Sequence, residues 1–197
     1  MSIAAGSSRP NRLGPWAKAL LYGVLQFAVN GVAAFLVEKY SGSCMFVLPA
    51  YFYALVTVLA VVTLRRFGVG AVTFLPIAVF GGLMEYYMEW VSSRSLLSPW
   101  GAVGWSAMFL GIGLAADVAF RLAPARWSLR RRAALTGVAF GLAFYLLVLL
   151  VLVALYPHTA QPGHLKYFLE GAPFTVPWML ANGGFAGYTA AAIADRR

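Results

Sequence analysis

The sequence is poor in charge. Only 11% of its 197 residues are Asp, Glu, Lys or Arg, against about 25% in a soluble domain. Acids number six, histidines two and cysteines one. A soluble globular enzyme is excluded by that composition. One cysteine, Cys44, allows no intramolecular disulfide and no thiolate metal cluster. It is also a poor lipoprotein acceptor, because Ser41-Gly42-Ser43 lacks the apolar residue expected before it. No GxGxxG, P-loop or HExxH occurs, and the apolar stretches hold no Ser–His pair and no pair of haem-ligating histidines. ATP hydrolysis therefore has no motif here, and no cofactor is expected.

What fills the chain is apolar. Hydrophobic residues make up 61% and the mean hydropathy is +0.77. A disordered chain needs the opposite composition. Six apolar stretches stand out, at about 17–37, 44–64, 69–90, 101–120, 133–156 and 174–194. Each approaches the roughly 20 residues that cross a bilayer as a helix. Six such spans use roughly 120 residues, which leaves no room for a soluble domain. The expected fold is all-α: one integral membrane bundle of six transmembrane helices over residues 1–197.

The net charge of +9 invites a nucleic-acid reading, but the basic residues sit at the ends of the apolar stretches. Arg9, Arg12, Lys18, Arg65, Arg66, Arg121, Arg126, Arg130, Arg131, Arg132, Arg196 and Arg197 fall on one side of a six-span topology. Lys39, Arg94 and Lys166 fall on the other. A split of 12 to 3 is what the positive-inside rule produces. It predicts a multi-pass protein of the cell membrane with both termini cytoplasmic, its surroundings lipid and not nucleic acid. The first span follows Lys18 as a signal peptide would, yet its length favours a retained helix.

Carboxylates inside a membrane are costly and so point to function. Glu85 lies late in the third stretch, roughly 8 Å inside its outer end at 1.5 Å per residue. Glu89 follows one turn on, with Tyr86 and Trp90 one position around. Two acids beside two aromatic rings suit a flat cationic ligand, by charge pairing and cation–π contact. Asn30, Tyr51, Tyr53, Trp105, Trp178 and Asn182 fall at similar depth and would complete a pocket open to the outside. The bland alternative is an aromatic belt for the rings and interhelical hydrogen bonding for the amides.

Asp117 precedes Arg121 by four residues near the inner end of the fourth stretch, which reads as a helix-end ion pair. Residues 157–173 read as a long outer loop, broken by Pro157, Pro162, Gly163, Gly171 and Pro173. Such a loop serves as a lid or as a connector resting on the bilayer. His158 and His164 lie in it as gate residues, with a weak metal-site reading through Glu170. Small residues recur four apart at Ala19 and Gly23, Gly137 and Gly141, and Gly183, Gly187 and Ala191, spacing that lets helices approach closely. The cluster Arg126 and Arg130–Arg132 is chiefly a topology signal, with anionic lipid contact as a second reading.

The order of these cues resembles a known family. Pro49-Ala50-Tyr51 opens the second span, Arg65-Arg66 precedes Gly70-Ala71, and Glu85 follows late in the third span. Gly111-Ile112-Gly113-Leu114-Ala115-Ala116-Asp117 closes the fourth span before a basic loop, and Asn182-Gly183-Gly184 leads a small-residue tail. From about residue 19 onward the chain resembles the substrate-binding S component of an energy-coupling factor (ECF) vitamin transporter, nearest the thiamine or hydroxymethylpyrimidine branch. The resemblance implies capture of a vitamin from outside, docking to a transmembrane coupling subunit with two cytoplasmic ATPase subunits, and toppling to release the vitamin inside. In that family a small-residue stripe on the first span, often AxxxA, contacts the coupling subunit. Ala19 and Gly23 are the nearest match, departing at the second position.

The leading expectation is therefore a transport subunit and not an enzyme. Glu85 would supply charge, Tyr86, Trp90, Trp105 and Trp178 would supply stacking, and Asn30 and Asn182 would fix orientation, with Glu89 and Tyr51 also among the substrate-binding residues. A rival is a structural or assembly subunit of a larger membrane complex, in which Glu85 pairs with a partner. A third reading is a membrane metalloenzyme built on His158, His164 and Glu170.

Overall fold

The computed structural model describes residues 13–40, 47–93, 99–155 and 162–196. For 33–40, 47–49, 81–82, 84–93, 99–102, 152, 155 and 162–168 the description covers the backbone alone. The described residues form six α-helices and no strand: α1 (Pro15–Tyr40), α2 (Val47–Leu64), α3 (Val69–Ser93), α4 (Pro99–Leu122), α5 (Leu129–Leu155) and α6 (Pro162–Ala194). Each overlaps one of the six apolar stretches. Among the described residues, two segments are long and apolar enough to cross a membrane, Val103–Leu122 and Leu129–Val151. Two shorter apolar runs, Ala50–Leu64 and Val69–Phe80, lie in α2 and α3.

One boundary departs from expectation. The stretch 157–173 is not a loop throughout, because α6 begins at Pro162 and runs for 33 residues through Pro173 and Pro177. Proline suits the first helical position, where an N–H has no acceptor anyway. Internal prolines free carbonyls but are tolerated where the surroundings rebuild their hydrogen bonds. Gly171 and Pro173 thus mark a helix interior and not its start.

The helices surround α2. It packs against α1, α3, α4, α5 and α6. The perimeter runs α1, α3, α4, α5, α6, and among the described residues α6 does not close back onto α1. A helix apolar all round belongs in such a central place, and among the described side chains α2 contributes none of the exposed large hydrophobics. The perimeter helices turn many outward: Leu21 and Val24 on α1, Phe80 on α3, Val103 on α4, Leu146 and Leu150 on α5, Phe174 and Phe185 on α6.

Inside, an aromatic column joins four helices. Phe74 of α3 meets Tyr53 of α2 at 5.8 Å between ring centroids, Phe109 of α4 at 6.0 Å and Phe140 of α5 at 5.8 Å. Trp105 and Phe144 extend it. Two buried threonines do not disturb this interior, because their hydroxyls donate to carbonyls of their own helices. Thr73 bonds Val69 O at 2.8 Å and Thr136 bonds Arg132 O at 2.8 Å, the usual resolution for a helical hydroxyl in apolar surroundings.

Two glycine seams bring backbones together. A Cβ on Gly70 would overlap the carbonyl of Gly113 across α3–α4, and a Cβ on Gly137 would overlap the carbonyl of Gly183 across α5–α6. The α2–α3 turn is tight. Arg65 takes a left-handed φ of 51° and Gly68 one of 89°, the first closing α2 as a C-terminal cap with its N–H on Val61 O at 3.0 Å.

Candidate functional site

The expected site residues divide into three groups. The first is the acidic patch. The backbone of α3 carries Glu85, Tyr86, Glu89 and Trp90 near its C-terminal end, at 85, 86, 89 and 90 of a helix ending at Ser93. Helical spacing puts Glu85 and Glu89 on one face; their side chains, with those of Tyr86 and Trp90, lie outside the described residues. His158 lies outside them entirely, and His164 is described only as a backbone position in α6.

The second group is a set of amides. Asn30 is buried at 4% exposure on α1, its Nδ2 donating to Gln26 O at 2.8 Å. Gln26, one turn earlier, is fully buried and its Oε1 accepts from Thr57 Oγ1 of α2 at 3.5 Å. Sequence reasoning missed Gln26. The available signal was its i, i+4 spacing to Asn30 in an otherwise apolar run. Asn182 faces the α2–α5 side of α6, beside Ala50, Ala54, Phe140 and Met179, where only about 10 Å³ of cavity remains. Gln26 Nε2, Asn30 Oδ1 and Asn182 Nδ2 have no hydrogen-bond partner among the described residues. Gln26 and Asn30 face α2 from α1, whereas Asn182 faces α2 and α5 from α6, and no cavity among the described residues joins them.

The third group is aromatic. Trp105 and Tyr53 belong to the packed column, their rings against Phe109 and Phe74. Tyr51 leans along α6, stacking near Phe185 at 5.8 Å and donating to Thr189 Oγ1 at 3.4 Å. Trp178 is 51% exposed, next to the buried Met179. Among the described residues these rings do not converge on an opening.

Two further expectations need correction. The stripe of Ala19 and Gly23 does not form a free docking face. Ala19 is fully buried against Ala60 and Val69. A Cβ on Gly23 would come within 2.9 Å of the Pro76 ring and press on Thr73 O, so the missing side chain makes room for the proline inside α3. Nor is Asp117 chiefly the ion-pair partner of Arg121. It is 2% exposed, and its Oδ2 accepts the Gly70 N–H at 2.9 Å. The N–H groups of Gly68 and Ala71 add to that attraction, and Arg121 contributes from farther away. Asp117 thus caps α3 from α4, a carboxylate at a helix N-terminus where the peptide dipoles favour it. Arg121 lies instead over the Phe67 ring, 5.1 Å from its centroid.

Among the described residues, two sizeable cavities lie at the arginine-rich end. One of about 660 Å³ occupies the gap between α1 and α6 over α2, between Leu21 and Leu25 on one wall and Ala194 and Asp195 on the other. Another of about 310 Å³ lies among Arg65, Arg66, Asp117, Phe120, Arg121 and Arg132. No group of three metal-ligating side chains occurs among the described residues. Neither a family model, nor a curated protein, nor a solved structure matches the chain.

Proposed function

We propose that the chain crosses a cell membrane six times with both termini in the cytoplasm, and that it serves as the substrate-capturing subunit of an ECF-type importer for a cationic or heteroaromatic vitamin. The inverted surface supports the membrane assignment. Large apolar side chains face outward on all five perimeter helices, far beyond what a soluble monomer exposes. Five of the six helices reach at least 24 residues, beyond the roughly 20 that span a bilayer. The charge split supplies the orientation.

The observation that carries ligand capture is the set of unmatched amides. A buried donor or acceptor without a partner costs about 1–3 kcal/mol, and Gln26, Asn30 and Asn182 each hold one. A polar ligand entering between α1 and α2 would satisfy Gln26 and Asn30, with Glu85 and Glu89 of α3 proposed to hold its positive charge. In this reading the chain works with a transmembrane coupling subunit and two cytoplasmic ATPase subunits. Docking would then use a face other than Ala19 and Gly23.

The test is thermal unfolding in detergent with a panel of thiamine, hydroxymethylpyrimidine and other water-soluble vitamins. A ligand at 100 times its Kd adds about 2.7 kcal/mol of stability. One vitamin should raise the Tm, and Glu85→Gln should abolish the rise. Folded protein that shifts with no vitamin would sink the reading. It would leave the second one, an assembly subunit of a membrane complex, which the open gap between α1 and α6 favours. That outcome predicts chains that co-purify with the protein.

A further inference from the structure

We propose that the cavity of about 310 Å³ at the basic end is a binding site for a phosphate-bearing anion, filled in the membrane by the phosphodiester headgroup of an anionic phospholipid. Its volume falls at the lower end of small-molecule sites, about 300–1,000 Å³. Its walls come from three separate places in the chain. Arg65 and Arg66 come from the α2–α3 turn, Arg121 from the last turn of α4, and Arg132 from the first turns of α5. Four arginines and one carboxylate line it, and one oxygen of that carboxylate accepts from the α3 N-terminus. Among the described residues, none of the four reaches an acid within ion-pair distance.

A topology signal alone does not produce this arrangement. The positive-inside rule asks only for basic residues in the cytoplasmic loops. Here the same segment sorts its arginines. Arg131 is exposed, and Arg130 turns to Asp195 at 3.6 Å, while Arg132 turns inward. Arg132 is held there by its Nη2 donating to Phe120 O at 3.0 Å and by the Phe120 ring 4.3 Å beneath the guanidinium. Its Nε–H is buried without a partner among the described residues. A positioned guanidinium with a spare donor is suited to a phosphate oxygen, since the planar fork matches phosphate geometry. Arg65 is fixed as well, through its Nε on Val62 O at 3.2 Å. The repulsion among four cations held around one cavity is relieved by an anion.

Lipid as the source rests on the membrane topology proposed above, since the cytoplasmic leaflet carries the anionic headgroups. The phosphate chemistry does not depend on it, and neither part depends on vitamin capture.

The full chain in zwitterionic detergent would be titrated with short-chain phosphatidylglycerol and, separately, with inorganic phosphate, using phosphatidylcholine as the baseline. Saturable binding of phosphatidylglycerol is expected. It should weaken about tenfold in Arg132→Gln and in Arg66→Gln, the loss of one charge-assisted hydrogen bond. Arg131→Gln should leave it unchanged. Arg66 is exposed, so its variant keeps the test valid if Arg132→Gln fails to fold. Saturable binding of inorganic phosphate with the same arginine dependence, and no gain for the lipid, supports the site and assigns it to free phosphate. Binding of neither probe overturns the proposal. So does equal weakening by Arg131→Gln, the mark of a diffuse surface charge.

Discussion

The α3–α4 and α5–α6 pairs use the same device and lock it differently. In both, glycines remove the side chains that would hold two helices apart, so backbone meets backbone. Across α5–α6 the contact repeats: Gly137 on Gly183, Gly187 on Ala133, Gly141 on Met179. Close approach of this kind supports dispersion and weak Cα–H···O contacts where no hydrophobic drive operates between helices. Its end is closed by exposed groups, Arg130 to Asp195 at 3.6 Å and to Tyr188 Oη at 3.3 Å. Across α3–α4 the glycine contact among the described residues is a single pair, Gly70 and Gly113. It is fastened by the buried Asp117 cap and by Ser106 Oγ donating to Ala78 O at 2.7 Å. One seam rests on repetition of shape, the other on polar locks at two points, one of them buried.

The comparison breaks most strongly at the repeated seam. In Gly137→Ala the new methyl meets backbone of Gly183 that cannot rotate away. The substitution gains about 1 kcal/mol in helix propensity, but overpacking costs about 1–3 kcal/mol and more where the obstacle is rigid. Net destabilisation is expected, with α5 and α6 moved apart. Graded SDS unfolding would measure the first, and a cross-linking pair placed on the two helices the second. Unchanged stability would mean that the helices do not touch there.

Next in size is the polar lock. Asp117→Ala strips a cap from α3 and leaves the Gly70 N–H buried without its acceptor, a loss of about 1–2 kcal/mol. Asp117→Asn keeps an acceptor oxygen of the same shape and should recover more than half of that loss. If Asn and Ala cost the same in unfolding experiments, the negative charge carries the interaction and the cap geometry does not.

Legibility in the sequence followed the same division. The six helices were readable because span-length apolar runs with basic clusters at alternate breaks leave few other solutions. The α5–α6 seam was readable too, since Gly137 with Gly141 and Gly183 with Gly187 repeat at helical spacing. The α3–α4 seam was not. Neither Gly70 nor Gly113 has another glycine four residues away, so the contact carries no period, and Asp117 showed its nearest sequence neighbour, Arg121, but not the helix end 47 residues away. Gly23 misled for a related reason: a small-residue stripe states that something comes close, and only packing tells that it is Pro76. The start of α6 was lost because Gly171 and Pro173 are breakers in water but are accommodated in a long packed helix. Of the candidate site, the pairing of Glu85 with Glu89 on one helical face needs only the 3.6-residue repeat. Whether rings elsewhere converge depends on rotation of each helix. Tyr51 turns to α6 and Tyr53 to the aromatic column, although the two lie only two residues apart.

The smallest effect sharpens the contrast from the other side. Arg130 and Asp195 close the end of the α5–α6 seam, and their side chains are 51% and 43% exposed. An exposed pair of this sort contributes about 0.2–1 kcal/mol, less as salt rises. Arg130→Gln should therefore shift unfolding slightly, and the shift should vanish at high ionic strength. The Arg130 guanidinium also covers the Tyr188 ring at 5.5 Å from its centroid, so a residual loss that persists in salt would measure that contact. A loss as large as that of Asp117→Ala would contradict the division drawn between the seams. It would mean that the charged end holds α5 to α6 and that the glycines merely permit the approach.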